Sequence, residues 1–266
     1  MQRLISLLGI PGLLLLAFVF CKDRKKLSYK IIVAGIGLQF FFALVVLRTR
    51  IGHQFIYWVG RGAEKLIGFT GAGSRFVFGD LMNVEKMGFI LAFHVLPVIV
   101  FFSSLSAILY YFGVLQWLVR QRARIFTRTL GVSGAEALSV AANGFVGMVE
   151  APILVRPYVE KMTESELFCL MSAGMATIAG SVMAAYIGIL QPYFPQVAGH
   201  ILSASLMSAP AAVVVAKIMI PETETPLTAG KVQVSYEKQD VNFIDAAARG
   251  AIDGVHLAIY VAAMLI

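Results

Sequence analysis

Charge is scarce in this chain: Asp, Glu, Lys and Arg make up 14% of its 266 residues, against about 25% in an ordinary soluble domain. Hydrophobic residues fill the gap at 59%, and the mean hydropathy is +0.81. A water-soluble fold of this length has nowhere to bury that excess, whereas a bilayer accepts it as unbroken apolar helices of about 18 residues or more. Strand-type alternation is missing over most of the chain, which argues against an outer-membrane barrel. Cysteine is reduced to Cys21 and Cys169. They lie far apart, each in or beside an apolar run, with no metal-binding spacing, so both read as small packed hydrophobes. HExxH, paired-carboxylate and Ser/His/Asp spacings are also missing. A membrane enzyme working through Glu150, His94 or His200 would lack a second catalytic partner, so the chain is read as not an enzyme. The net charge of +7 does not imply nucleic acid, because the basic residues sit in short segments between apolar runs, where they set membrane orientation.

The runs follow in order. Leu4–Phe20 is a short first span: its positive charges come after it and no small-residue cleavage site follows, so it is not a cleaved signal. Lys22, Arg24, Lys25, Lys26 and Lys30 place its far end in the cytoplasm and the N-terminus outside. Ile31–Leu47 returns outward. Residues 48–78 mix Phe55, Tyr57 and Trp58 with Arg48, Arg50, Arg61 and Lys65, the pattern of a helix lying in the interface. Gly88–Leu118 carries a third span with a bend expected at Pro97. Arg120, Arg122, Arg124 and Arg128 form a second cytoplasmic cluster.

Val132–Tyr158 is too punctuated by glycine and proline for a clean span, yet it carries Asn143 and Glu150 at membrane-like hydrophobicity. Both its flanks are cytoplasmic in character, so it is predicted to enter and leave on one side as a re-entrant hairpin, a form tolerated where protein or a wet cavity lines it. Leu167–Leu190 is a span interrupted near Thr177, with Thr163 as its cap. Ile201–Ile220 contains Pro210 and reads as a kinked packing helix. Pro221–Asn242 is a polar cytoplasmic loop, and Phe243–Ile266 is amphipathic, then apolar. The chain stops inside that apolar run, an ending expected of a truncated sequence. The fold class is therefore an all-α integral membrane protein: multiple transmembrane helices, a re-entrant helical hairpin and an interrupted helix. Residues 1–118 are expected to form N-terminal membrane helices with an interfacial helix as a scaffold, and 119–266 the first hairpin and following helices as a transport part.

Two features carry chemistry. A carboxylate at a hairpin tip inside a membrane is costly unless paired, which makes Glu150 a functional candidate; alternatively it is a loop glutamate near the surface, paired with Arg156. Gly174, Thr177, Gly180 and Ser181 suit close helix packing. They equally suit an unwound helix whose free carbonyls and half-helix end hold a cation.

The stretch Phe145-Val-Gly-Met-Val-Glu-Ala-Pro-Ile-Leu-Val-Arg-Pro-Tyr158 resembles the first re-entrant hairpin of concentrative nucleoside transporters. Met162–Leu167, Gly174–Tyr186, Ala204–Ala211 and Pro221–Glu224 continue the resemblance in order, as do Phe93–Pro97 and Leu109–Gly113 upstream. It covers nearly the whole chain. The resemblance implies a homotrimeric symporter of the cell inner (plasma) membrane that imports nucleosides or nucleoside-like solutes, driven by a sodium or proton gradient and without an organic cofactor. It implies sodium ligands at Asn143 (side chain), Val146 (carbonyl), Thr177 (hydroxyl) and Ile178 (carbonyl), with a nucleobase contact at Glu150 in the tip Gly147, Met148, Val149, Glu150. Thr177 stands where a serine is common and keeps the hydroxyl.

Two departures stand against the family pattern. The family's usual tip is Gly-Gln-Thr-Glu, and Met148 and Val149 cannot make the side-chain hydrogen bonds of Gln and Thr. A site that has lost polar partners discriminates differently by orders of magnitude: the base specificity is altered, the substrate is not an ordinary nucleoside, or the protein is inactive. Family members also continue beyond this length with a second hairpin and a second interrupted helix. A non-transporting membrane assembly subunit is the alternative.

Overall fold

The structure, a computed structural model, describes residues 2–148, 151–190, 193, 194, 196–229 and 240–266. Val149 and Glu150 therefore lie outside the described residues, as does most of the loop before Val241. Among the described residues the chain is helical throughout, and five helical stretches are long and apolar enough to cross a bilayer.

Helix α1 (Gln2–Val19) is followed by α2 (Tyr29–Arg48) and the long α3 (Arg50–Phe78). Thr49 separates the last two: its Oγ1 accepts from Gly52 N–H at 2.9 Å and caps α3. Short α4 (Val84–Met87) and α5 (Leu91–His94) lead into α6 (Leu96–Tyr111). The irregularity expected at Pro97 falls at Val95, where α5 gives way to α6 inside the spanning stretch Leu91–Tyr111. Pro97 lies in the first turn of α6, where its missing N–H would have had no partner anyway. That span ends at Tyr111 rather than Leu118, and α7 (Val114–Leu130) starts afresh as a separate helix. Leu115, Val119, Ala123, Phe126 and Leu130 make its single buried face.

Gly131, at φ 70, closes α7 in the left-handed region. Helix α8 (Gly134–Val146) then begins in a capping box: Ser133 Oγ accepts from Glu136 N–H, and Glu136 reaches back to Ser133 N–H. A 3-10 turn (Ala151–Val155) and α9 (Arg156–Val159) lead to α10 (Glu164–Ala176), capped in the same way by Thr163 and Glu166. Helix α11 (Gly180–Leu190) continues after a break at Thr177, Ile178 and Ala179. Helices α12 (Val197–Met219) and α13 (Phe243–Leu265) complete the chain.

Helix α12 is the axis of the bundle, with 56% of its span buried. Helices α2 and α10 pack along it, and α1, α3, α8 and α11 also touch it. Gly35 lets α2 come so close that the Val214 side chain occupies the space a Cβ would take. Helices α6 and α13 form the other intimate pair. A Cβ on Gly254 would lie 2.7 Å from Val100 Cα, and one on Gly250 would lie 2.9 Å from the Ser103 carbonyl. Packing thus joins elements far apart in sequence: α13 lies on α6, and α12 on α2.

One end of the bundle gathers several termini. Lys22 N–H donates to the Met219 carbonyl at 2.9 Å, Lys22 Nζ meets Glu164 at 2.5 Å, and Gly134 N–H donates to the Thr228 carbonyl at 2.9 Å. The end of α1, the start of α8, the start of α10 and the end of α12 therefore meet beside the first basic cluster.

Candidate functional site

The two feet of segment 133–163 stand on one buried lysine. Lys217 Nζ lies 2.5 Å from Glu136 Oε1 at the start of α8, at ion-pair range though off a hydrogen-bond line. It donates to Ser165 Oγ in the first turn of α10 at 2.9 Å and lies 3.3 Å from Glu222. Glu222 in turn accepts from Thr163 Oγ1 at 3.0 Å. Lys217 and Glu136 are 4% and 1% exposed, so the pair is desolvated and each charge depends on the other.

From these feet, α8 and α10 run side by side and end together. Asn143, in the last turn of α8, is buried and points at the end of α10: its Nδ2 donates to the Ala173 carbonyl at 2.7 Å and to Thr177 Oγ1. Thr177 Oγ1 donates to the same Ala173 carbonyl at 3.0 Å. Only the amide nitrogen can donate to a carbonyl, so the orientation of Asn143 is fixed by its neighbours. Among the described residues its Oδ1 is left buried with no partner. A buried acceptor without a donor is costly, and this one sits where the carbonyl ends of two helices converge. Those ends carry unsatisfied carbonyls and the negative pole of each helix. Both features favour positive charge over negative at this place.

Backbone geometry keeps it open. Gly147 ends α8 with φ 103 and ψ 172, a conformation available to glycine and strained for other residues. Thr177 ends α10 in an extended conformation with φ −118 and ψ 159. Gly180 opens α11 against the tip of α8, and a Cβ there would fall 3.1 Å from the Phe145 carbonyl. Gly174 does the same on α10, where a Cβ would lie 3.3 Å from Met148 Cβ.

The structure thus brings Asn143, Val146, Thr177 and Ile178 to one junction, with Gly147 and Met148 beside it. Val146 is the last residue of α8, so its carbonyl belongs to the unpaired final turn. Ile178 lies in the break, its side chain packed among Met183, Ile187 and Val197. Met148 is 59% exposed at the tip. The histidines considered for enzymatic chemistry are apart: His94 packs on Phe89 with Nδ1 2.9 Å from the Ile90 carbonyl, and His200 stacks on Phe194.

Three models of nucleoside-transporter segments match the chain in sequence order. They are described as Na+ dependent nucleoside transporter N-terminus over residues 8–81, nucleoside recognition over 92–193, and Na+ dependent nucleoside transporter C-terminus over 200–266. The chain belongs to the concentrative nucleoside transporter family. The junction at Asn143 and Thr177 falls inside the nucleoside-recognition segment. Among relatives, solute carrier family 28 member 3 of Mus musculus is 41% identical over 266 residues, covering 100% of this chain and 37% of that protein. Sodium/nucleoside cotransporter 2 of Rattus norvegicus is 40% identical, covering 100% of this chain and 39% of that protein. The solved structure of CNTnw in an inward-facing substrate-bound state superposes with a TM-score of 0.89 at 39% identity, covering 100% of this chain and 62% of that one. The chain therefore spans less than two thirds of these transporters' lengths.

Sequence reasoning missed two residues around the transporter junction. Lys217 stands in an apolar run, inside the expected span Ile201–Ile220. A lysine inside a span needs a partner, and that rule pointed to a buried acid. Arg122 reads as one of the cytoplasmic arginines by charge alone, yet it is three residues from Val119 and four from Phe126, both on the buried face of α7.

Proposed function

We propose that the protein is a secondary active symporter that imports nucleosides or nucleoside-like solutes, driven by a sodium gradient. One observation carries this reading: the orphaned, buried Oδ1 of Asn143 at the meeting of two helix C-termini. Asn143 Oδ1, the Val146 and Ile178 carbonyls and Thr177 Oγ1 are the proposed sodium ligands. All are neutral oxygens, the donor type hard cations take. A proton would need a base, and this donor set contains none, so sodium is favoured over the proton as the coupling ion. The sodium-dependent character named for the matching family segments and for sodium/nucleoside cotransporter 2 supports the same choice.

Gly147, Met148, Val149 and Glu150 are the proposed substrate contacts, next to the cation. Met148 offers a nucleobase apolar surface in place of a hydrogen bond, which suits an altered base preference. The two feet of segment 133–163 meeting on Lys217 support a re-entrant hairpin that enters and leaves on the cytoplasmic side. With Lys22 at the same end, the N-terminus lies outside the cytoplasm of a multi-pass inner (plasma) membrane protein. A homotrimer is the assembly proposed, with residues 1–118 mainly scaffold and 119–266 mainly transport part.

Uptake of radiolabelled nucleosides into cells expressing the protein tests the proposal. Accumulation is expected to rise with an inward sodium gradient and to collapse when choline replaces sodium. Uptake independent of both sodium and pH gradients contradicts it. A protein that assembles in the membrane yet gives no nucleoside-dependent response would support the non-transporting alternative.

A further inference from the structure

Arg122 does not share the solvent face of its arginine cluster. Arg120, Arg124 and Arg128 are exposed, whereas Arg122 is half-buried on the inner edge of α7. Its guanidinium carbon lies 5.0 Å from the centroid of the Phe145 ring, and Nη1 donates to the Ala141 carbonyl at 3.3 Å. Gly144 makes the room: a Cβ there would fall 2.8 Å from Nη1. Three residues in the last two turns of α8 thus surround one guanidinium. At 3.6 residues per turn, Ala141, Gly144 and Phe145 share a face, and Asn143 lies on the far side of the helix.

Burial lowers the guanidinium to about 10, so it remains charged at neutral pH. Among the described residues no carboxylate lies within ion-pair distance of it. A desolvated cation without a counter-ion is costly. Here the ring face and the carbonyl end of α8 provide the compensation. If helix packing were the only need, an apolar side chain would meet it at lower cost.

We propose that Arg122 is a positioning residue for the cation site, clamping the last turn of α8 from behind so that Asn143 Oδ1 and the Val146 carbonyl face the cation. The inference rests on the sodium reading above. The last turn of a helix lacks part of its hydrogen bonding and frays readily, and Gly147 gives it no stiffness beyond. Arg122 grips that turn at a ring, a carbonyl and a glycine. The charge itself acts in the opposite direction: two cations at one helix end repel, so loss of charge alone would tighten sodium binding. The clamp predicts weaker binding.

The test is the melting temperature of the detergent-purified chain as NaCl rises, with choline chloride holding ionic strength constant. Supports behind metal ligands typically change affinity by 10- to 100-fold. The half-saturating sodium concentration is therefore expected to rise roughly tenfold or more in Arg122→Gln, with Arg122→Lys, which keeps charge but loses the planar fork, between it and the unaltered protein. Gly144→Ala gives an independent check. Alanine favours the helix, yet its Cβ displaces the guanidinium, and it too is expected to raise the half-saturating concentration. An unchanged or lower half-saturating concentration in Arg122→Gln and Gly144→Ala overturns the proposal, even if both variants melt lower at every sodium level. If the unaltered protein shows no sodium-dependent shift at all, the sodium reading falls and this inference with it. If the unaltered protein responds and the variants respond identically, only the positioning role falls.

Discussion

Lys217→Met is expected to lower stability by about 3–5 kcal/mol, the cost of leaving one partner of a buried ion pair alone. Lys217 Nζ lies 2.5 Å from Glu136, which is 1% exposed and holds the start of α8 through its capping box. Removing the ammonium strands that carboxylate in a dry site and frees Ser165 and Glu222 as well. Both feet of segment 133–163 loosen together, because α8 and α10 begin on the same lysine. The partner test follows from the same physics. Glu136→Gln keeps an acceptor for Ser133 N–H and removes the charge, so Lys217→Met with Glu136→Gln should melt higher than Lys217→Met alone. Thermal unfolding of the purified single and double variants checks the order. Equal melting temperatures for Lys217→Met and the unaltered protein would contradict the buried-pair account.

Thr177→Val is expected to weaken sodium binding by at least roughly tenfold while leaving the break between α10 and α11 in place. Valine matches threonine in shape and suits the extended backbone at φ −118 and ψ 159. It lacks the hydroxyl that accepts from Asn143 Nδ2 and donates to the Ala173 carbonyl. Two effects add: one proposed ligand is gone, and the amide of Asn143 loses the partner that turns its Oδ1 toward the cation. Thr177→Ser should restore most of the affinity because the oxygen returns. A sodium titration followed by melting temperature separates the three proteins. If valine and serine bind sodium alike, the hydroxyl has no part in the site.

Much of this fold was legible in the sequence for physical reasons that can be named. Apolar length gave the spans, and the cap at Thr163 marked a helix start where a side-chain oxygen meets a free N–H group. The break at Thr177 was legible only as one of two options, because Gly174, Gly180 and Ser181 serve close packing as well as unwinding. Both turn out to operate: Gly174 and Gly180 admit the tip of α8 beside the break. Pro97 marked the interruption at Val95 within Leu91–Tyr111, though its place in the first turn of α6 was set by its neighbours. Lys217 and Arg122 could not be placed by local pattern. Their partners lie on other helices, Glu136 on α8 for one and Phe145 on α8 for the other, and only the fold brings them together.

The most direct test is sodium-dependent nucleoside binding to the unaltered protein and to Asn143→Ala, measured by calorimetry in sodium and in choline. Sodium should bind with neutral-oxygen selectivity, raise nucleoside affinity in the unaltered protein, and do neither in Asn143→Ala. Equal nucleoside affinity in sodium and choline, or an Asn143→Ala protein that still responds to sodium, would show that the orphaned oxygen between α8 and α10 is not where the driving ion sits.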